Sequence, residues 1–165
     1  GPMVVGLAEC KAALRLSEDD EDALIAGHIR TAMALCEAFT GQWLIEREGE
    51  QRLAGDLAWQ RLLASPVVAV TGVFAGPTAL AAGWEAEATA DGTGWVRLTQ
   101  PPAGPVAARF RAGLAADWNG VPEPLRAGIV RLVSHFYTHR DAADAGPPPA
   151  AVAALWRPWR RLAIA

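Results

Sequence analysis

His135 and His139 stand four residues apart, the spacing at which one helix can offer two imidazoles to a single metal ion. Between them lie Phe136, Tyr137 and Thr138, so the glutamate that serves as base in two-histidine zinc motifs is missing, and no third ligand follows at a matching interval. Partly buried or interface histidines are the expectation instead, and His28, near the apolar side of its helix, reads as a core residue. Ser17, Ser65 and Ser134 have no nucleophile-elbow setting, and Gly92-Thr93-Gly94 lacks the further glycines and the lysine of a phosphate loop. The run Glu18 to Asp22 has no calcium-loop spacing and reads as a solvated helix start. Cys10 and Cys36 show no metal-ligand spacing and read as buried free thiols. The chain thus reads as no enzyme, with no metal and no cofactor.

One group of residues resists a purely structural reading. Leu155, Trp156, Arg157, Trp159, Arg160, Arg161 and Leu162 crowd the end of the chain behind DAADAGPPPA, a stretch too rich in Pro, Gly and Ala to be more than a linker. A short apolar and basic end cannot bury its own tryptophans, and Trp and Arg are the residues that anchor interfaces. The expectation is a Pro-rich linker and flexible arm over 146–165, with a helical turn or two before Pro158, that docks into another subunit.

The 165 residues suit one ordinary domain, with a core closed without staples. Gly1 and Pro2 before Met3 read as the remnant of a cleaved tag, which leaves 3–145 as the main domain. The composition is 52% hydrophobic, yet no run approaches the roughly 18 apolar residues of a membrane span, so no membrane partner is expected and the reading is soluble and intracellular. A net charge of −3 argues against a surface built to coat nucleic acid. Seven tryptophans are many for this length and favour protein interfaces.

Three helices must position these residues. The strongest pattern runs over 122–140, where Leu125, Ile129, Leu132, Val133 and Phe136 share one face behind Pro122 and Pro124. Over 18–39, Leu24, Ile25, His28, Ile29, Ala32, Leu35, Cys36 and Phe39 keep the same spacing, with Ser17 as the expected N-cap and Thr40-Gly41 as the stop. A shorter helix over 7–16 turns Leu7, Cys10 and Leu14 inward. Between the helices, 42–114 breaks into short β-branched and aromatic runs. Strands are expected at Gln42 to Glu48, Val67 to Phe74, Trp84 to Ala88, Trp95 to Thr99 and Val106 to Ala112, with Trp59 to Leu63 ambiguous and a hairpin turn at Asp91-Gly92-Thr93-Gly94. The expected fold is mainly α with a small inserted antiparallel β-module, its core made by antiparallel long helices, followed by a flexible C-terminal arm.

The order of these parts resembles the head-to-tail connector, or adaptor, family of long-tailed phages and gene transfer agents. The resemblance rests on LAECKAALRLSEDDEDALIAGHIRTAMALCEAFTG, SPVVAVTGV, VPEPLRAGIVRLVSHFYTHRD and LWRPWRR, and covers nearly the whole chain. The insert departs from the family pattern in its richness in Ala and Gly. The resemblance implies a non-enzymatic, dodecameric ring protein in the neck of a virion or gene transfer agent particle, assembled in the bacterial cytoplasm. It would sit beneath the portal, join capsid to tail and extend the DNA channel. Its partners would be the portal protein through the C-terminal segment, neighbouring copies of itself, the next neck or tail-completion protein, and DNA that passes without sequence-specific binding. The acidic run from Glu18 to Asp22 could face that DNA and discourage sticking, although helix capping explains it equally well. The competing reading is a small DNA-binding module with Arg157, Arg160 and Arg161 on phosphates.

Overall fold

Ile25, Ile29, Ala32 and Cys36 recur every three or four residues, and α2 (Asp22–Thr40) buries all four. The computed structural model describes residues 2–17, 19–139 and 148–161, with side chains from Gly6 onward. Its chain divides into two units, one formed by residues 1–44 and 115–165 and the other by 45–114.

In the first unit α1 (Pro2–Ala13) and α2 pack with α3 (Glu123–Thr138), which buries Leu125, Gly128, Ile129, Leu132, Val133 and Phe136. Just past the end of α1, Arg15 takes a left-handed φ of +58°, with Arg15 N–H on the Ala12 carbonyl (3.1 Å) and Leu16 N–H on the Lys11 carbonyl (2.9 Å). The helix therefore stops short of Leu16. Ser17 does not cap α2, which begins after Glu21 with no side-chain cap. Lys11 explains the difference: its ammonium lies 2.7 Å from Asp19 and 2.9 Å from Asp22, so these carboxylates answer the end of α1 as well as the dipole of α2. The hydrogen bonds to Asp19 and then Asp22 raise the Lys11 pKa, and the same contact holds Asp19 below the usual carboxylate range. At the other end of α2, Gly41 takes the left-handed conformation (φ +70°), and its N–H returns to the Glu37 carbonyl.

The second unit overturns the expectation of a mainly α chain with a minor insert. It carries seven strands in two antiparallel sheets, so strand and helix both make up a large share of the described residues. Neither does a pair of long antiparallel helices form the whole core. β1 (Arg47–Arg52), β7 (Ala107–Ala112), β3 (Val67–Ala75) and β4 (Thr78–Ala79) lie in that spatial order, and β2 (Gln60–Arg61), β6 (Gly94–Leu98) and β5 (Trp84–Ala88) form the second sheet. Alternation explains the core: Ala108, Phe110 and Ala112 of β7 and Gly94, Val96 and Leu98 of β6 are buried, with less buried residues between them. β1 starts later than the run from Gln42 to Glu48 suggested, because Gln42 and Leu44 belong to the helical unit, where Leu44 N–H bonds the Glu37 carboxylate (2.8 Å). Its REGEQR sequence holds no β-branched residue. It pairs as an edge strand by placing Glu48 opposite Arg111 and Glu50 opposite Arg109.

The expected flexible arm is also corrected. α4 (Ala150–Trp156) and the 3-10 turn Arg157–Trp159 pack on α3 and α2, with Val152, Ala153 and Trp156 buried. The sequence contains a receptor for Trp156 that periodicity does not reveal, namely Gly128. Residues 140–147 and 162–165, which include most of the expected linker and Leu162, lie outside the described residues. Among the described residues, no helix is long and apolar enough to cross a membrane.

Candidate assembly surface

Pro149 precedes α4, and AAVAALW then places Val152, Ala153 and Trp156 on one side of about two turns. That side meets α3. The Trp156 side chain is wholly buried, its indole N–H donates to the Leu125 carbonyl at 3.3 Å, and its ring lies 6.0 Å from the Phe39 ring. Gly128 makes the approach possible, since a Cβ there would stand 2.1 Å from Trp156 Nε1. Pro158 then breaks the helix.

Beyond it the backbone is stitched to the end of α2. Gln42 Nε2 donates to the Trp159 carbonyl at 2.5 Å, and Arg161 N–H donates to the Thr40 carbonyl at 2.7 Å. The left-handed turn at Gly41 thus has a second role, because a Cβ there would lie 2.9 Å from the Arg161 carbonyl oxygen.

The seven residues singled out by sequence therefore separate. Trp156 is an internal anchor, Leu155, Trp159 and Arg161 are half-buried, Arg157 and Arg160 are exposed, and Leu162 lies outside the described residues. The Arg160 guanidinium lies 5.1 Å above the Phe39 ring, so its charge is held at the surface by an aromatic platform. Trp159 with Arg157 and Arg160 makes a basic, part-aromatic surface of the kind that partners bind. The sequence marks Gly128 as a place where a neighbouring backbone can come close and Phe39 as part of an apolar helix face, but not that the group seated between them is the Trp156 indole.

The other candidate groups do not converge on a reactive centre. The rings of His135 and His139 stack with centroids 4.5 Å apart, and His139 Nδ1 lies 2.9 Å from the Thr138 hydroxyl and 3.1 Å from the His135 carbonyl. No group of three or more His, Cys, Asp or Glu residues able to hold a metal occurs among the described residues. Cys10 and Cys36 are free and buried, and burial, with Glu9 and Glu37 adding to it, pushes both thiols up to about 12. Trp118, also buried, donates its indole N–H to the Glu9 carboxylate at 2.8 Å and so ties the segment before α3 to α1.

No protein-family model matches the chain, and no curated protein does. Solved structures do. A chain from the neck of an empty gene transfer agent particle, computed with C6 symmetry, is similar over 96% of this chain and 90% of its own, with a TM-score of 0.77 and 28% identity. A chain from the neck of a native gene transfer agent particle, computed with C12 symmetry, gives a TM-score of 0.72 at 27% identity over 97% and 92%. A third, from the virion of a native gene transfer agent particle, gives 0.71 at 25% over 96% and 90%.

Proposed function

We propose that this chain is a structural, non-enzymatic neck protein of a phage-like or gene transfer agent particle. It forms a ring beneath the portal, joins head to tail and extends the DNA channel. The observation that carries this reading is the likeness to neck chains over 96% of the sequence at a TM-score of 0.77. Ring formation is supported by the symmetries of the two necks, C6 and C12. A twelve-copy ring satisfies both, because a twelve-fold axis contains a six-fold one.

The C-terminal segment is the proposed portal contact, in a form refined by its packing. Trp156 sets the segment on its own body, and the outward groups, Arg157, Trp159 and Arg160 with Leu155 and Arg161 beside them, meet the portal; Leu162, the remaining residue of the expected contact, lies outside the described residues. The test is capture of the full-length chain by the portal of its particle. Arg157→Glu with Arg160→Glu should weaken capture at least about tenfold, or 1.4 kcal/mol, without lowering the unfolding midpoint. Undiminished capture by that variant sinks the portal assignment. Retention on duplex DNA that falls steeply with salt and disappears in the same variant would favour the DNA-binding alternative.

A further inference from the structure

α3 ends at Thr138, and its last carbonyls have no further turn of helix to bond them. Side chains take that place. The Thr138 hydroxyl donates to the Ser134 carbonyl at 3.0 Å, and His139, just past the helix, sets its N–H on the His135 carbonyl at 2.9 Å and its Nδ1 at 3.1 Å from the same oxygen. A histidine at a helix C-terminus can bond these carbonyls through its ring. His139 is thereby folded back over the turn that carries His135, and the two rings stack with centroids 4.5 Å apart and planes 25° apart.

These contacts decide which nitrogen of His139 carries the hydrogen. A hydroxyl has one hydrogen, and that of Thr138 goes to a main-chain carbonyl, so its oxygen presents a lone pair to His139 Nδ1 at 2.9 Å. The other neighbour of Nδ1 is the His135 carbonyl, which only accepts. Nδ1 therefore holds the hydrogen of the neutral ring, and Nε2 holds the lone pair. That is the state of a metal-binding imidazole, with one nitrogen tethered through its N–H to a carbonyl and the other left to coordinate. His135 is half-buried and His139 exposed, so an ion reaches both from solvent. His28, the third histidine of the chain, stays apart from the pair, with its ring 5.7 Å from the buried Phe136.

We propose that His135 and His139 form a two-imidazole site for a divalent late transition-metal ion, Ni2+, Cu2+ or Zn2+. Spacing alone did not carry this site; the hydrogen-bonded tautomer does. Metal–nitrogen bonds of about 2.1 Å to neighbouring corners of a coordination sphere need two nitrogens about 3 Å apart, a spacing that rings stacked at 4.5 Å reach by turning about their side-chain bonds. Nitrogen donors select this class of ion over Ca2+ and Mg2+, which take oxygen. No third His, Cys, Asp or Glu joins the pair among the described residues, so water fills the remaining positions and the ion exchanges with solvent. The bound ion clips the last turn of α3. Both ligands belong to that one turn, so the site does not depend on the neck assignment.

The test adds Ni2+ or Zn2+ alone to the full-length protein and follows binding by isothermal titration calorimetry, up to free ion on the order of 1 mM, the weak end of the affinity scale. One ion per chain should bind saturably, and the thermal midpoint should rise with ion concentration, because the ion holds the folded helix end. His135→Ala and His139→Gln should each weaken binding at least about tenfold, and Thr138→Val, which removes one acceptor from Nδ1, should weaken it less. His28→Ala should leave it unchanged. His139 is exposed beyond the helix, so loss of binding in His139→Gln with an unchanged circular dichroism spectrum is loss of a ligand and not of the fold. Absence of saturable binding, unchanged affinity in either ligand variant, or half an ion per chain held between two copies overturns the proposal. So does a metal-free His139 whose ring nitrogen resonances place the hydrogen on Nε2.

Discussion

The indole of Trp156 fills the notch that Gly128 leaves in α3, with its N–H on the Leu125 carbonyl one turn earlier. A glycine in mid-helix ordinarily costs about 1 kcal/mol against alanine. Here the sign reverses. A methyl at position 128 would stand 2.1 Å from a rigid, fully buried ring, and overpacking of that kind costs about 1–3 kcal/mol.

Gly128→Ala should therefore lower stability in urea unfolding by up to about 2 kcal/mol after its propensity gain, and should shift Trp emission to the red as α4 loosens. Trp156→Ala should cost about 3–5 kcal/mol through the cavity it leaves. The double variant should be less destabilised than the sum, because once the indole is gone the methyl meets no ring. Additive losses would mean that the two residues are not in contact.

Arg15 holds a conformation suited to glycine at the end of α1. Arg15→Gly should raise stability by about 0.5–1 kcal/mol, since it removes left-handed strain and loses only a small part of that gain to the freer unfolded chain. Arg15→Val, branched at Cβ, should lower it. Thermal unfolding of the two variants decides the order.

Gln51 stands in for a strand at the edge of β2 through two hydrogen bonds. Gln51→Ala should cost about 1–2 kcal/mol and should accelerate amide exchange at Leu63 before other amides of the sheet. Unchanged protection at Leu63 would remove the strand-substitute role.

The thiols of Cys10 and Cys36 rise from 9.0 to about 12 through burial. The folded state keeps these protons at a pH where the unfolded chain releases them, so the stability tied to the neutral thiols is complete below pH 9 and declines as pH climbs toward 12. Urea midpoints should fall over that range, and Cys10→Ala with Cys36→Ala should flatten the fall. Below pH 9 a thiol reagent should label both cysteines only at the rate of opening.

Much of the helical unit was legible as residues. Ile25, Ile29, Ala32 and Cys36 on α2, and Leu125, Ile129, Leu132 and Val133 on α3, announce buried faces because a helix repeats every 3.6 residues within one segment. Val67 to Phe74 and the turn around Asp91-Gly92 are local signals of the same kind. β1 was not legible, because REGEQR becomes a strand through the arginines of β7 opposite its glutamates, a fact about two segments sixty residues apart. The C-terminal segment is legible as a cluster of Trp and Arg, but its packing on α3 is not, because the Gly128 notch that receives Trp156 lies in a distant segment.

What the chain carries in its order alone is the inventory: two strongly amphipathic helices, a β-rich middle, an ending rich in Trp and Arg, and no set of ionisable residues spaced for catalysis. Tertiary structure decided which tryptophan is an anchor and which is offered outward, and that Arg61, Trp95 and Glu87 share one face. Periodicity is a property of one segment and can be read within it. The Gly128 notch, the strand register and the Gln51 edge cap are relations between distant segments, and they exist only once the backbone has brought those segments within contact distance.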